Sequence, residues 1–173
     1  DDAVQSGTIG DLGTSVANLK KLSHRLYTDT RSLSHLLTAG GLTGPGLSSA
    51  LEEIARQITS VNSECTVETV VTGDLAAIDS ETACSLFHLY QSLAQNILRH
   101  ADATACIFQL LVSPDAIIAS VEDNGIGYDV NMVTRGLGTR ELFARAEFAK
   151  GTARIDTSPG HGTFVEITIP RSL

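Results

Sequence analysis

Positive charge is scarce in this sequence, and the scarcity argues against one broad class of function. The 173 residues include 12 lysines and arginines against 20 aspartates and glutamates, a net charge of −8 at neutral pH. Direct nucleic-acid binding needs a basic face to meet the phosphate backbone, so we expect no nucleic-acid partner. Charged residues make up 18% and apolar residues 42% of the chain. That composition favours a folded core over disorder, and the length fits about one domain with an appended helix or two.

Long apolar runs and cysteine pairs are also missing. No apolar stretch reaches about eighteen residues, so we expect this chain neither to span nor to contact a membrane. No secretory signal pattern is recognised. The three cysteines, Cys65, Cys84 and Cys106, are scattered and odd in number. We expect reduced core thiols in a cytoplasmic protein. A zinc site is the alternative, which the lack of a Cys-x-x-Cys pair disfavours.

The N-terminal part of the chain predicts two helices. Residues 11–37 carry a seam of apolar and small polar residues in steps of three and four. Such a seam needs a partner helix, so we expect a homodimer or a bundle through this helix. The alternative is an amphipathic helix lying on its own domain. Glycines break the pattern at residues 39–46, and a second helix is predicted over residues 47–61. We divide the chain into a helical dimerisation segment, 1–46, and a second domain, 47–173.

The second domain predicts an α+β fold. Long helices are predicted from Asp79 or Ser80 to about His100, and over residues 139–150. Turn residues 113–115 join two apolar strands as a hairpin, which indicates a mixed, mostly antiparallel sheet with helices on one face. The strands are not arranged as in a Rossmann domain, and no Gly-x-x-x-x-Gly-Lys phosphate loop occurs. The five predicted strands cover residues 65–71, 104–112, 116–122, 152–157 and 163–169.

An acidic residue followed by spaced glycines marks the candidate site. Asp123, Gly125 and Gly127 follow the third predicted strand, and a second Gly-x-Gly lies downstream at residues 136–138. A carboxylate can accept a hydrogen bond from an adenine amino group, and glycines let the backbone approach base and phosphates. A helix that opens after residue 138 offers free N–H groups and a positive dipole end to phosphate. The pattern therefore predicts an ATP-binding domain.

Polar residues near the end of the long helix complete the predicted site. The amide oxygen of Asn96 suits Mg²⁺ when phosphate oxygens and water supply the other ligands. Arg99 and His100 follow at i+3 and i+4, so they share the face of Asn96 on an α-helix and could meet the same phosphates. Alone, each group resembles a solvated helix end or a turn. Their order and spacing together indicate a nucleotide site.

These motifs resemble those of the GHKL ATPase superfamily. Residues 91–101 resemble its N box, 123–127 its G1 box, 136–138 its G2 box and 158–165 its closing Gly-Thr motif. More narrowly, the chain resembles sensor histidine kinases that partner response regulators with LuxR-type helix-turn-helix outputs. Residues 22–26 and 41–51 resemble the second dimerisation helix of that group and its link to the ATPase domain. The resemblance covers roughly residues 15–170.

The resemblance implies a two-layer sandwich of the GHKL, or Bergerat, ATPase type. It implies transfer of the γ-phosphoryl group of ATP to a histidine, and then to an aspartate of a cognate response regulator. ATP and Mg²⁺ are the implied cofactors, with Asn96 as the metal ligand, Thr163 behind the adenine and residues 128–135 as a lid. The implied ATP-binding residues are Asn96, Arg99, His100, Asp123, Gly125, Gly127, Gly136, Leu137, Gly138 and Thr163.

Two positions depart from the pattern of that family. Ser92 stands four positions before Asn96, where family members usually carry an acidic residue, and a serine cannot act as a carboxylate base. The family's phosphoacceptor histidine is followed by an acidic residue, whereas His24 and His35 are followed by arginine and leucine. The catalytic residue is therefore left unassigned, and we expect slow or absent autophosphorylation, or reliance on another acid.

Two alternative functions follow from these departures and from the family itself. The first is a degenerate pseudokinase, which keeps the fold but signals through ATP occupancy or dimer geometry. The second is a GHKL protein-serine kinase acting as an anti-sigma factor, which the heptad helix at residues 11–37 disfavours. In each case we expect a cytoplasmic location, either as a free protein or as the cytoplasmic part of a membrane-anchored kinase.

Overall fold

Helix α1 opens the part of the chain that the computed structural model describes, residues 42–129 and 137–171. It spans Gly44–Val61, with Thr43 as its N-cap and Pro45 in the first turn. A proline suits this position because the first turn of a helix leaves its N–H groups without helical partners. We predicted that this helix begins at residue 47, but it begins three residues earlier, at Gly44. The heptad helix predicted over residues 11–37 lies outside the described residues.

Five strands form one sheet in the order β1-β2-β3-β5-β4. The first two strands pair in parallel, and each remaining pair is antiparallel. This arrangement confirms the predicted mixed, mostly antiparallel sheet of an α+β fold. The strands are β1 (Thr66–Gly73), β2 (Ala105–Val112), β3 (Ala116–Asp123), β4 (Thr152–Thr157) and β5 (Thr163–Pro170).

Helix α2 spans Ser80–Asn96 and carries one wall of the candidate site at its C-terminal end. Its N-cap is Asp79, whose carboxylate accepts from the backbone N–H of Thr82 at 2.8 Å. We predicted an α-helix to about residue 100, but the α-helix ends at Asn96. It changes into a π-helical turn over Ile97–Ala101, and this turn alters which side chains share a face.

Helix α3 spans Leu137–Phe148 and follows a segment outside the described residues. We predicted that it opens after Gly138, but the backbone is already helical at Leu137 and Gly138. Gly136 and most of the predicted lid, residues 130–135, lie outside the described part. The turn at residues 113–115 is present, with Ser113 N–H donating to the Ala116 carbonyl at 2.9 Å.

One face of the sheet forms the core with the helices. On β2 the side chains of Cys106, Phe108, Leu110 and Val112 are buried, and those between them are more exposed. Helix α1 buries an apolar stripe at helical spacing against this layer, and α2 buries Tyr90, whose hydroxyl donates to the carbonyl of Gln109. The buried stripe of α1 comprises Leu47, Leu51, Ile54 and Ile58.

The cysteines are free thiols in or near this core. The sulfurs of Cys65 and Cys106 lie 3.9 Å apart, and burial raises the pKa of the Cys106 thiol to about 12. A thiol held protonated in this way is a weak nucleophile and metal ligand.

Within residues 42–129 and 137–171, no helix combines the length and apolarity needed to cross a bilayer.

Candidate functional site

A cavity of about 570 Å³ lies between the sheet, the C-terminal end of α2 and helix α3. Five residues that the sequence predicted for the site line it: Asn96, His100, Asp123, Gly127 and Thr163. Asp123 ends β3 and Thr163 begins β5, and the two stand opposite each other in the antiparallel ladder. The sheet therefore brings two residues far apart in sequence to one wall of the cavity.

Asp123 is the buried carboxylate of this cavity, with 8% of its surface exposed. Its Oδ1 atom accepts from the backbone N–H of Gly125 at 2.9 Å. Burial raises the pKa of Asp123 above its ordinary value, and hydrogen bonds from the backbone N–H groups of Gly125 and Thr163 partly offset that rise. A carboxylate so held still offers acceptor capacity to a donor inside the cavity.

Asn124 anchors the loop that follows Asp123. Its Oδ1 atom accepts from the backbone N–H groups of Thr104 and Ala105, each at 2.9 Å, and its Nδ2 donates to the Thr104 hydroxyl at 2.9 Å. These bonds tie the loop to the start of β2. Asn124 therefore fixes the position of the carboxylate before it, a role that the sequence analysis did not assign.

Both predicted loop glycines are required by close backbone packing. A Cβ on Gly125 would lie 2.2 Å from the carbonyl oxygen of Ala101, and the neighbouring Ile126 N–H donates to that same oxygen at 2.7 Å. Gly127 has φ +57, and its Cβ would lie 2.1 Å from the Ser158 carbonyl oxygen. Any side chain at either position would push the loop away from the cavity.

The end of α2 contributes Ser92 and Asn96, and the π-helical turn after it contributes His100; all three are exposed and line the cavity. Ser92 lies one turn before Asn96, so the position that is usually acidic in the family does face this cavity. Arg99 instead lines a second cavity of about 290 Å³ beside Asp102. The π-helical turn explains this difference, because its wider spacing rotates the i+3 residue off the face that the i+4 residue keeps.

Several wall residues were not predicted from the sequence. Val121 and Val165 line the cavity two positions along the strands from Asp123 and Thr163, and period-two alternation could have identified them. Leu142 and Arg145 line it from α3, and no local sequence pattern singles them out. The apolar wall leaves space for a flat apolar group beside the carboxylate.

The loop after the glycines begins with Tyr128, which also lines the cavity. Its backbone N–H donates to the Thr157 hydroxyl at 3.2 Å. Burial, together with the nearby carboxylate of Asp123, raises the pKa of the Tyr128 phenol. The phenol therefore stays protonated at neutral pH and remains a hydrogen-bond donor.

Solved structures define the class of this fold. The histidine kinase domain of the Erythrobacter litoralis EL346 blue-light activated histidine kinase matches with a TM-score of 0.56 and 26% identity, over 72% of this chain and 60% of that one. Acinetobacter baumannii histidine kinase AdeS matches with a TM-score of 0.64 over 92% of this chain and 84% of that one. At 17% identity, the second likeness shows the fold alone. The fold is that of histidine kinase catalytic domains.

Curated relatives of known sequence include signal-transducing histidine kinases. No protein-family model matches the chain. The signal transduction histidine-protein kinase/phosphatase DegS of Bacillus subtilis (strain 168) is 30% identical over 93 residues, 51% of this chain and 24% of DegS. The oxygen sensor histidine kinase NreB of Staphylococcus carnosus (strain TM300) is 27% identical over 154 residues, 88% of this chain and 44% of NreB. The chain is a homologue of sensor histidine kinases, as its motifs predicted. It spans less than half the length of these two relatives.

Proposed function

We propose that residues 47–173 form the ATP-binding catalytic domain of a two-component sensor histidine kinase. The observation that supports this most directly is that Asp123 and Asn96, from two distant motifs, line one cavity. The γ-phosphoryl group would pass from ATP to a histidine nitrogen, leaving ADP, and then to an aspartate of a response regulator. In this proposal residues 11–37 form the homodimer, and the phosphoacceptor histidine lies outside this chain.

The roles of the residues follow from their chemistry. Asp123 would accept from the adenine amino group, with the base lying against the apolar wall and Thr163 behind it. His100 would lie near the phosphates, and the backbone N–H groups at Leu137 and Gly138, where α3 begins, would donate to them. The predicted contacts of Gly136 and Arg99 with the nucleotide stay predictions. Positioning and charge neutralisation would supply most of the catalysis.

Asn96 fits a magnesium ion that is held mainly by the nucleotide. Its amide oxygen is a hard ligand, and Mg²⁺ keeps several waters and takes phosphate oxygens when few protein ligands are present. Among the described residues, no cluster of three or more histidine, cysteine, aspartate or glutamate side chains offers an alternative cage. When bound, Mg²⁺ would neutralise phosphate charge, while Asn96 orients that end of the ligand.

Calorimetric titration of the 173-residue chain with Mg-ATP tests the proposal. We expect saturable binding that adenosine diphosphate competes for, and labelled phosphate on histidine when an acceptor domain carrying the phosphoacceptor is added. Acid lability of the label distinguishes phosphohistidine from phosphoserine, which the anti-sigma alternative would produce. Absence of heat and of competition with adenine nucleotides would refute the ATP-binding function.

A pseudokinase is the second candidate, and Ser92 is the observation that favours it. This serine faces the cavity at the position where a carboxylate is expected. A hydroxyl group cannot orient or deprotonate an attacking imidazole as a carboxylate does. In this candidate the domain binds ATP, and the occupied and empty states differ in their signalling, with little transfer of phosphate.

Exchange of one side chain separates the two candidates. We expect Ser92→Glu to raise the rate of phosphotransfer to an added acceptor domain by about 100-fold, the usual scale of general-base catalysis. Ser92→Gln matches the size of glutamate without its charge and should leave the rate near that of the wild type. A wild-type rate equal to that of Ser92→Glu would reject the pseudokinase.

A further inference from the structure

One arginine of the cavity lining has no partner among the residues that the structure describes. Arg145 lies on α3, one turn after Leu142, and both side chains line the cavity. No residue that the structure describes accepts a hydrogen bond from the Arg145 guanidinium or forms an ion pair with it. Within the described ranges it is also the single lysine or arginine of the lining. The charged guanidinium group of Arg145 is thus available to a ligand beside the apolar wall.

The positive and negative groups of this cavity come from different elements. The pKa of Asp123 depends on burial, on backbone N–H groups and on Glu122, with no contribution from Arg145. Asp123 instead influences its near neighbour Tyr128. If the arginine lay against the carboxylate, it would hold the pKa of Asp123 down. The cavity has a carboxylate on β3 and a cationic group on α3.

This arrangement matches a ligand with a hydrogen-bond donor at one end and an anionic tail. Long side chains on a helix point back towards its N-terminus. The N-terminal end of α3 is where backbone N–H groups are free for phosphate. Arginine binds phosphate through two parallel charge-assisted hydrogen bonds. Arg99, which the sequence placed near the phosphates, lines a different cavity.

We propose that Arg145 is a positioning residue that binds the phosphate chain of the nucleotide from helix α3. The inference rests on the proposed function, because it requires a nucleotide in this cavity. It assigns to α3 the positive charge that the motif pattern assigned to Arg99 on α2. The base would be held by Asp123, and its anionic tail would be held between His100 and Arg145.

Binding measurements with ligands of different charge test the assignment. The 173-residue chain is titrated with Mg-ATP and with adenosine, and Arg145→Gln is compared with the wild type. We expect Arg145→Gln to weaken ATP binding by about tenfold or more, the scale of a lost charge-assisted pair, and to leave adenosine affinity unchanged. Arg145→Lys keeps the charge but loses the paired hydrogen-bond geometry, so its ATP affinity should lie between those of Arg145→Gln and the wild type.

Arg154→Gln is the matched control, because Arg154 is exposed on β4 in an ion pair with Asp156 and does not line the cavity. Its ATP affinity should equal that of the wild type. Equal losses of ATP and adenosine affinity in Arg145→Gln, or no loss of either, would overturn the inference. A larger loss of ATP affinity in Arg99→Gln than in Arg145→Gln would also overturn it.

The unfolding midpoint without nucleotide separates folding from binding. A purely structural role in the last turn of α3, where cations favour the helix dipole, would lower this midpoint and spare the ratio of ATP to adenosine affinity. That result would overturn the inference even if Arg145→Gln folds poorly, because Arg145→Lys supplies the same ratio in a folded protein. A wild type that binds neither ligand refutes the proposed function itself.

Discussion

At the scale of single residues, Asp123 serves the proposed function at a cost to folding. Its burial raises its pKa, so the folded protein releases this proton at higher pH than the unfolded chain does. The folded state then binds more protons in that interval, and stability falls as the pH rises through it. At neutral pH the ionised carboxylate therefore destabilises the fold, and a group that costs stability in this way suits a binding role.

Exchange of Asp123 for asparagine should separate these two effects. We expect Asp123→Asn to weaken ATP binding by about tenfold or more, since an amide loses the charged acceptor for the adenine amino group. Its unfolding midpoint at pH 8 should equal or exceed that of the wild type by up to about 3 °C. The excess should shrink as the pH is lowered towards 4. Calorimetry and thermal unfolding give the two quantities.

Glu122→Gln is the control for this exchange, because Glu122 precedes Asp123 on β3 but its side chain is exposed on the other face of the sheet. It removes the same charge and should leave ATP affinity within about twofold of the wild type. Unchanged affinity in Asp123→Asn would show that the adenine contact is misassigned.

Asn96 gives a prediction about magnesium. We expect Asn96→Ala to abolish most of the difference in ATP affinity measured with and without Mg²⁺, because the protein's oxygen ligand to the ion is lost. Gln95→Ala removes a neighbouring amide that does not line the cavity and should preserve the difference. The proposal for Asn96 fails if wild-type affinity is the same in magnesium and in a chelator.

The two arginines show where residue-level prediction from sequence reaches its limit. That Asp123, Asn96 and Thr163 line one cavity was predictable, because motif order carries their positions. Placing Arg99 in the site assumed that residues at i and i+3 share a face, which holds for an α-helix. Arg145 has no motif, and only the packing of α3 turns it towards the cavity.

At the scale of elements, the π-helical turn after α2 shapes the site. It spans Ile97–Ala101, and its last carbonyl accepts from Ile126 N–H at 2.7 Å, which joins it to the glycine loop. The turn ends at Asp102, which has φ 51. Sequence periodicity predicted a helix to residue 100, but a single π-helical turn is too short to change that periodicity visibly.

The N-cap of α2 gives a stability prediction for this element. Asp79 accepts from both the N–H and the hydroxyl of Thr82, each at 2.8 Å, and these bonds lower its pKa. We expect Asp79→Ala to lower the free energy of unfolding by about 1 kcal/mol at neutral pH. For a carboxyl with a lowered pKa, this stabilisation exists above the ordinary pKa and disappears as the pH falls below about 4.

Chemical denaturation at pH 7 and pH 3 provides the measurement. Asp79→Asn keeps an acceptor at the cap and should lie within a few tenths of a kcal/mol of the wild type at pH 7. An Asp79→Ala difference that is as large at pH 3 as at pH 7 would contradict the assigned role of the ionised cap.

At the scale of the whole molecule, the sheet order was less predictable than its strands. All five strands were identified from apolar runs and turn residues, and the hairpin joining β2 to β3 follows from its short connection. The pairing of β3 with β5 spans α3 and β4, so no local pattern encodes it. The parallel pairing of β1 with β2 likewise requires a crossover connection, which α2 provides because it lies between these two strands in the sequence.

Nucleotide binding should stabilise the entire fold if the cavity is the ATP site. At a Mg-ATP concentration one hundred times the dissociation constant, we expect about 2.7 kcal/mol of added stability. For a domain of this size, that corresponds to a rise of about 5–10 °C in the unfolding midpoint. Differential scanning calorimetry measures the rise.

Guanosine triphosphate is the control ligand for this shift. It carries the same phosphates, but its ring presents a carbonyl oxygen where adenine presents an amino group. That oxygen would meet the carboxylate of Asp123 as a second acceptor, so the shift should be smaller. Equal shifts with both nucleotides would show that the carboxylate does not select the base.

The pairing of Asp123 with Thr163 across β3 and β5 makes the pocket sensitive to strand alignment. Because neighbouring side chains point to opposite faces of a sheet, a slip of one residue would turn one of these two side chains away from the cavity. Misaligned chains would then lose the carboxylate or its companion hydroxyl. The number of ligand molecules bound per chain at saturation in a refolded sample would thus report the fraction of molecules whose strands are in correct register.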